Sequence, residues 1–446
     1  MFENVLHQSQ VINQLKTDIE NNSLAPSILF SGPEYSGKGT AALELARILC
    51  CENNTKRAAW NCSCSSCVRQ RNLVSPDLLV LGRRHFFEEI NASLDTFLRN
   101  TKNEGSRMLF LRSVRKLLSR FNSVLWEDDP KFGKIKNQIS VVEEELEDIE
   151  AAAIEEFNGE PNVQNSELKK KCESLVKKAA KLETDGFGEQ IPINQIRKAA
   201  YWSRMAPLGK YKCIIIENAE KMQEGAKNSL LKILEEPPEN LFIILTSSRP
   251  GSLLPTMLSR LREYRFARRN SEEEAEILNR IFRDSYGNSI ESYLASFLPV
   301  SSHTLFSLGS FFAASVAAEV AREKKAQGKE IPDVLIDFGK FSAHIAEEGD
   351  MGRPALNEKI AIEKVLGTAE GFEISGLFIR FLQQCSALVS AWLRCKDNSD
   401  ASPEKSVLAD VWRKELNRSF MEKDTFNINP LMILEKLFEG LRAGMV

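Results

Sequence analysis

KYKCIIIENAEKMQEGAKNSLLKILEEPPENLFIILTSS, residues 210–248, reads as strand, acidic tip, helix and second strand. The β-branched run CIII at 213–216 is bounded by polar residues and stops at Glu217, the pattern of a strand buried on both faces. A polar turn leads into a helix through Leu230, Leu231 and Leu234. Pro237 and Pro238 stop that helix, because proline has no amide hydrogen and restricts the residue before it. Residues 241–245 form a second buried strand, tipped by Thr246, Ser247 and Ser248. The expected fold class is therefore α/β, with a parallel sheet. Ligands of such sheets sit outside the carboxyl ends of the strands, where Glu217, Asn218 and Thr246 would stand.

Toward the N-terminus, a helical spacing at Val5, Leu6, Val11, Ile12, Leu15 and Ile19 precedes a strand at 28–30. GPEYSGKGT follows at once, residues 32–40. It nearly fits the phosphate-binding loop G-x-x-x-x-G-K-[S/T], whose backbone amides cradle phosphates while the lysine reaches the outer ones. Gly32, Gly37 and Lys38 fall in place, and the helix over 41–49 would aim its positive end at an anion. Gly39 stands where a hydroxyl would hold magnesium, and Thr40 comes one residue late. Two readings fit: a loop that holds ATP with magnesium, and a plain glycine turn before a helix.

Cys50, Cys51, Cys62, Cys64 and Cys67 come next. Zinc takes four soft ligands in a tetrahedron, and cysteines on tight polar turns supply them. Cys51, Cys62, Cys64 and Cys67 are the expected set, with Cys50 as the alternative fourth ligand. Nothing nearby offers an open position beside a base, so the expected zinc is structural and its module spans about 50–68. After a strand at 77–81, residues 86–188 change in kind. Ile135, Ile139, Val142, Leu146, Ile149 and Ala153 alternate steps of four and three, as do Leu168, Cys172, Leu175, Ala179 and Leu182. With a turn at 158–162, this predicts an antiparallel helical hairpin, acidic on its first arm and basic on its second, that buries its own faces and needs no help from the core. Charge pairing along a solvated hairpin is favoured over a nucleic-acid arm. A short strand at 264–266 closes the sheet, and the pattern is helical from Asn270 on. Asn429 and Pro430 give the last helix its start signal.

The order of these pieces resembles the bacterial DNA polymerase III clamp loader, an AAA+ ATPase family. The resemblance rests on the loop at 32–40, the cysteine cluster, IPINQIRKAAYWSRMAPLGKYKCIIIENAEKM, and above all LLKILEEPPEN, and it covers about 1–82 and 189–267. It implies an AAA+ (RecA-like) core over 1–268 carrying the zinc module and the hairpin insertion. It also implies a small helical lid over 269–329 and an all-α collar over 330–446. Ser259-Arg260 stands at the family's Ser-Arg position, which implies an arginine finger reaching a neighbour's ATP. The family's motor subunits carry Asp-Glu where this chain has Glu217-Asn218, and the second acid polarises the attacking water. Asparagine cannot take that proton.

The departures are most similar to the delta-prime subunit. The resemblance then implies a poorly hydrolysing stator among gamma/tau and delta partners in a hetero-pentamer that loads the sliding clamp on primed DNA. The alternatives are an active gamma/tau-type ATPase and, from another class, a zinc-bearing helical adaptor.

Composition bounds these readings. At 446 residues the chain is expected to hold two to four domains. A formal charge of −3 argues against a basic nucleic-acid coat over the whole surface. No apolar run is expected to approach the roughly 20 residues a bilayer span needs, and MFENVLHQSQ lacks a signal peptide's basic start and apolar centre. The expectation is a cytoplasmic protein without membrane contact, whose nine cysteines serve as metal ligands or buried thiols.

Overall fold

The computed structural model describes all residues except 54–57, 128, 159–164, 187–189, 286, 288, 370–371, 373–375, 396–402, 425–427 and 446. The chain divides into two compact units, Met1–Leu294 and Ala295–Val446. In the first, β1 (Ser27–Ser31), β2 (Leu78–Gly82), β3 (Lys212–Glu217), β4 (Leu241–Ser247) and β5 (Arg262–Arg265) form one parallel sheet in the order β2-β3-β4-β1-β5. The expected α/β class is met. β5 runs about two residues earlier than the 264–266 read from the sequence.

Alternate side chains of the sheet enter different cores, as the two-residue period of a strand requires. Ile28, Phe30, Leu78, Val80, Cys213, Ile215 and Ile244 pack with residues of α1 (Ser9–Glu20) and α2 (Lys38–Leu49). Leu29, Leu79, Leu81, Ile214, Ile216, Ile243 and Leu245 face the other way, into a larger core. Both faces are covered, which is why these strands read as continuous apolar runs.

The helices after β2 supply most of that larger core. After α3 (Ser65–Arg71), which lies in the cysteine segment, come α4 (Phe87–Arg99), α5 (Glu104–Leu118), α6 (Ser123–Trp126), α7 (Phe132–Asn158) and α8 (Asn165–Gly186). The heptad reading of α7 and α8 holds: Ile135, Ile139, Val142, Leu146, Ile149, Ala153, Leu168, Cys172, Leu175, Ala179 and Leu182 are all buried. Lys178 pairs with Glu145 across the hairpin, as the opposite charges of its arms suggested. The expected turn lies, from residue 159 on, outside the described residues.

One expectation needs correction. The stretch from 86 on is not self-contained. Phe86, Ile90, Leu94, Phe97, Phe110, Leu111, Val114 and Leu117 pack in the same core as Leu79, Leu81 and Ile216 of the sheet. Glu183, near the end of α8, is buried and accepts from the amides of Phe86 (3.1 Å) and Phe87 (3.1 Å), so it sits at the first amides of α4. A heptad pattern shows that two helices pack on each other. It does not show that their base is free of the sheet.

α9 (Ile193–Trp202) and α10 (Glu224–Glu235) pack together behind β3 and β4, and α11 (Pro255–Leu258) leads to β5. α12 (Ser271–Ile277) starts at a capping box in which Asn270 and Glu273 bond each other's backbone amides.

The second unit is all-helical. Its core joins Phe312, Phe338, Phe381, Trp392, Trp412 and Phe438. Pro430–Met445 forms the last helix, and Asn429 Oδ1 accepts from the Leu431 amide at 2.9 Å, the start signal in the sequence. Ser302–Ala326 is long and apolar enough to cross a membrane, contrary to the expectation of no such run. It is a core helix, with 78% of its apolar window buried.

Replacing residues 151–172 by a short turn removes only the distal hairpin and should leave the protein soluble and cooperatively folded. Deleting 84–186 strips one face of the sheet and should give insoluble or non-cooperatively unfolding protein. Thermal unfolding with circular dichroism distinguishes them; a soluble, zinc-containing 84–186 deletion would restore the self-contained hairpin.

Candidate functional site

The carboxyl edge of the sheet brings together Gly82, Glu217, Ser247 and Ser31, since Gly82 pairs with Glu217 and Ser31 with Ser247 in the strand registers. Gly82 has φ +121, and a Cβ there would lie 2.1 Å from the Glu217 carbonyl oxygen, so only glycine permits this approach. The loop after β1 crosses the same edge. Gly37, at φ +93, caps the start of α2, and Lys38 opens that helix. This is the strand, loop and helix arrangement read from the sequence.

The loop's polar groups are engaged with each other. Lys38 Nζ is buried and donates to the carbonyls of Gly32 (2.7 Å) and Pro33 (2.5 Å). Burial pushes its pKa down to about 8, against the pull of Glu220, Glu34 and Glu217. Arg269 lies over the loop, donating to the carbonyls of Tyr35 and, at 2.9 Å, Leu6. A Cβ on Gly37 would meet Arg269 Nη2 at 2.8 Å.

Glu217 is buried at the end of β3 and accepts from Arg120 Nη2 at 2.5 Å. Burial works against its charge, yet Arg120 first, then Arg84, Lys116 and Lys38, hold its pKa below the ordinary carboxylate value. A Cβ on Gly39 would lie 2.6 Å from Glu217 Oε1. Residue 39 therefore faces the carboxylate directly but offers it no hydroxyl. Asn218 has φ +51, and its side-chain amide donates to the Arg83 carbonyl at 2.5 Å. The Asn218 amide donates to Thr246 Oγ1 at 3.2 Å. Thus Gly32, Gly37, Lys38, Gly39, Glu217, Asn218 and Thr246 gather at one edge, and Thr40 follows within α2. These residues do not fit a nucleotide-bound magnesium ion: the hydroxyl is missing and the carboxylate is already bonded to a guanidinium.

Arg260 follows α11. Its guanidinium donates to the Thr256 carbonyl at 2.7 Å and pairs with Glu235 at 2.7 Å. Glu263 pairs instead with Arg265 and accepts from Ser31. About a third of the Arg260 side chain is exposed, and its partner Glu235 more, so the pair sits at the surface and is readily exchanged.

The cysteine cluster forms a compact set. The sulfurs of Cys51, Cys62, Cys64 and Cys67 all lie within 4.8 Å of one another. Tetrahedral zinc with sulfur at about 2.3 Å places its ligands about 3.8 Å apart, and Cys51 and Cys62 stand 3.8 Å apart. Cys64 caps α3, accepting from the Cys67 amide at 3.4 Å. Although burial opposes it, hydrogen bonds from the Cys67 and Glu52 backbone bring the Cys64 thiol down to about 7. Burial first, then hydrogen bonds with Cys51 and Cys64, push the Cys67 thiol up. Four sulfurs this close cannot all ionise unaided, and a divalent cation at their centre is the chemistry that would stabilise them as thiolates. Cys50 turns away, donating to the Tyr211 carbonyl at 3.2 Å beside the sheet. The quartet includes Cys51 and leaves Cys50 out.

Sequence reasoning missed four cations. Arg47 of α2 bonds Glu44 (2.6 Å), the carbonyls of Ala58 (2.6 Å) and Ala59 (3.1 Å), and Cys67 Sγ (3.2 Å). Arg84, Lys116 and Arg120 surround Glu217. Arg112, Lys116 and Arg120 recur every four residues, which puts them on one side of α5 and its continuation. That spacing was visible; what it faces was not.

The profile of the family described as "DNA polymerase III, delta subunit" matches residues 7–126 and 157–270, more than half of the chain. DNA polymerase III subunit delta' of Pseudomonas aeruginosa is 33% identical over 115 residues, 26% of this chain and 35% of that protein. Subunit gamma/tau of Mycobacterium bovis is 31% identical over 104 residues, 21% of this chain and 18% of that protein. Subunit tau of Bacillus subtilis is 34% identical over 90 residues, 20% and 16% of the two chains. The matched stretches thus span about a third or less of these relatives' own length. A crystal structure of a DNA polymerase III gamma subunit-related protein of Thermotoga maritima aligns at a TM-score of 0.30 and 21% identity, over 58% of this chain and 81% of that one, too loosely to bear on the site. The family match runs on through α4, α5 and α6, past the 1–82 stretch on which the sequence motifs rested. The chain belongs to the family described as DNA polymerase III, delta subunit, among clamp-loader subunits of the delta-prime or gamma/tau kind.

Proposed function

We propose that this chain is a delta-prime-like clamp-loader subunit that does not itself hydrolyse ATP. It would sit in a cytoplasmic hetero-pentamer with gamma/tau and delta subunits that places a sliding clamp on primed DNA. One observation carries this reading. The strand tip that should present a water-polarising acid presents Asn218, whose amide is tied to the Arg83 carbonyl. An amide neither takes a proton nor reaches a substrate from that position. The missing hydroxyl at Gly39 supports the same conclusion. The gamma/tau-type ATPase is the second reading, favoured by the Mycobacterium bovis and Bacillus subtilis likenesses.

The AAA+ division into a core over 1–268, a lid over 269–329 and a collar over 330–446 belongs to this proposal, with Ser302–Ala326 packed in the same core as the helices after 330. Arg260 then supplies an arginine finger in trans. A guanidinium makes paired bonds to phosphate oxygens and is always charged, and such fingers reach roughly 10³-fold or more in related phosphoryl transfers. Its surface pair with Glu235 is weak enough to exchange for a phosphate. Arg260→Ala should leave the protein folded and able to assemble, and should slow ATP turnover by the adjoining subunit. Lys38→Ala and Asn218→Ala should change turnover little. Steady-state ATPase of the reconstituted assembly decides, and a silent Arg260→Ala beside an abolishing Lys38→Ala would identify a motor.

The cysteine quartet is proposed to hold one structural zinc ion through Cys51, Cys62, Cys64 and Cys67. Zinc would tie α3 to the end of α2 and contribute folding energy there. Metal analysis of chelator-free protein should find one zinc per chain. Cys62→Ser should lose it, while Cys50→Ser keeps it; zinc-free wild-type protein would refute the site. Co-purification with a gamma/tau motor subunit separates both loader readings from a zinc-bearing helical adaptor.

A further inference from the structure

Glu217 stands at the sheet edge where a metal-binding carboxylate belongs, and Gly39 faces it at contact distance. Its environment is the reverse of a metal site. Arg120 is almost wholly buried and bonds Glu217 at 2.5 Å. The Arg120 guanidinium also lies 5.5 Å from the centre of the Phe86 ring, and Arg84 lies 5.3 Å from the same ring. Trp126 Nε1 donates to the Arg120 carbonyl at 2.7 Å, fixing the chain at that point. Arg84 and Lys116 both pair with Glu89, so a second carboxylate from α4 organises the cations around the first. Lys38 approaches from the loop side.

We propose that Arg120 is the resident cation of this edge. It takes the electrostatic place of the divalent ion that a nucleotide triphosphate would bring, and it does so from the helices between β2 and β3. This rests on reading the edge as a nucleotide-site relative. A divalent ion at Glu217 would have to displace a buried, bonded guanidinium. It would also approach Arg84, Lys116 and Lys38, and like charges a few ångströms apart in a protein interior repel strongly. An arginine cannot leave by losing its proton, so the exclusion is permanent in the folded state. The same bond fastens the end of α5 to the end of β3. The strand tip is tied down by the protein itself.

The test is a thermal double-mutant cycle on the full chain, combined with Mn²⁺ binding read by electron paramagnetic resonance. Arg120→Met removes the Arg120 hydrogen bond to the buried Glu217 carboxylate, leaving it to the more distant Arg84, Lys116 and Lys38, and should lower the melting temperature by roughly 5–10 °C. Glu217→Gln in that background should recover at least half of the loss. Mn²⁺ with ADP should leave no bound signal on wild-type protein. If Arg120→Met is too unstable to purify, the double variant must still fold. The proposal is overturned if the double variant is insoluble or no more stable than Arg120→Met. It is also overturned if Arg120→Met melts with wild type, or if wild type binds Mn²⁺. The stator reading fails separately, by ATP hydrolysis in the isolated wild-type chain. Mn²⁺ binding without hydrolysis would sink the resident arginine alone.

Discussion

A carboxylate buried at the end of a strand must be neutralised, and the structure around Glu217 is arranged to do that. The bond to Arg120 spans two parts of the chain almost a hundred residues apart and joins the end of β3 to the end of α5. Removing one partner of such a pair costs about 3–5 kcal/mol, because the other is left charged and dry. The constraint reaches outward. Phe86 has the guanidiniums of both Arg84 and Arg120 near its ring, and Glu183 accepts from the amides of Phe86 and Phe87. The position of α8 is thereby linked to the chemistry of the sheet edge.

A second chain of contacts runs from the same edge to the cysteine quartet. α2 begins at Lys38, beside Glu217, and ends next to the cysteines. Arg47, on its last turn, bonds Glu44 and reaches Cys67 Sγ. Trp60 collects three guanidinium groups, those of Arg47, Arg71 and Arg112. Arg112 and Arg120 both come from α5 and its continuation, so that one segment serves both the sheet edge and the cysteine module. A bound metal would therefore stiffen the far end of the helix whose near end follows the loop over 32–40.

Much of this was legible in the sequence, because period and spacing are local properties. The strands of 213–216 and 241–245 declared themselves by β-branched runs ended by polar tips, and the hairpin by its heptads. The cysteines declared themselves by density. The loop over 32–40 and the Asn at 218 were read from motif positions alone. What was not legible was which elements touch across long separations. Arg120 looks like any surface cation on a helix until the sheet is folded beneath it. Phe86 to Trp126 was placed with a solvated arm because a charged, proline-poor stretch resembles one, whereas its apolar residues pair with the sheet. The spacing of Arg112, Lys116 and Arg120 marked one side of a helix without saying that a buried carboxylate waits there.

Asn218 and Gly39 carry the proposed stator reading. Single-turnover hydrolysis tests that most directly, with the isolated, zinc-loaded chain in excess over γ-labelled ATP and magnesium. The account predicts no phosphate release above the protein-free control. Release that disappears in Lys38→Ala would show a working motor site and contradict it.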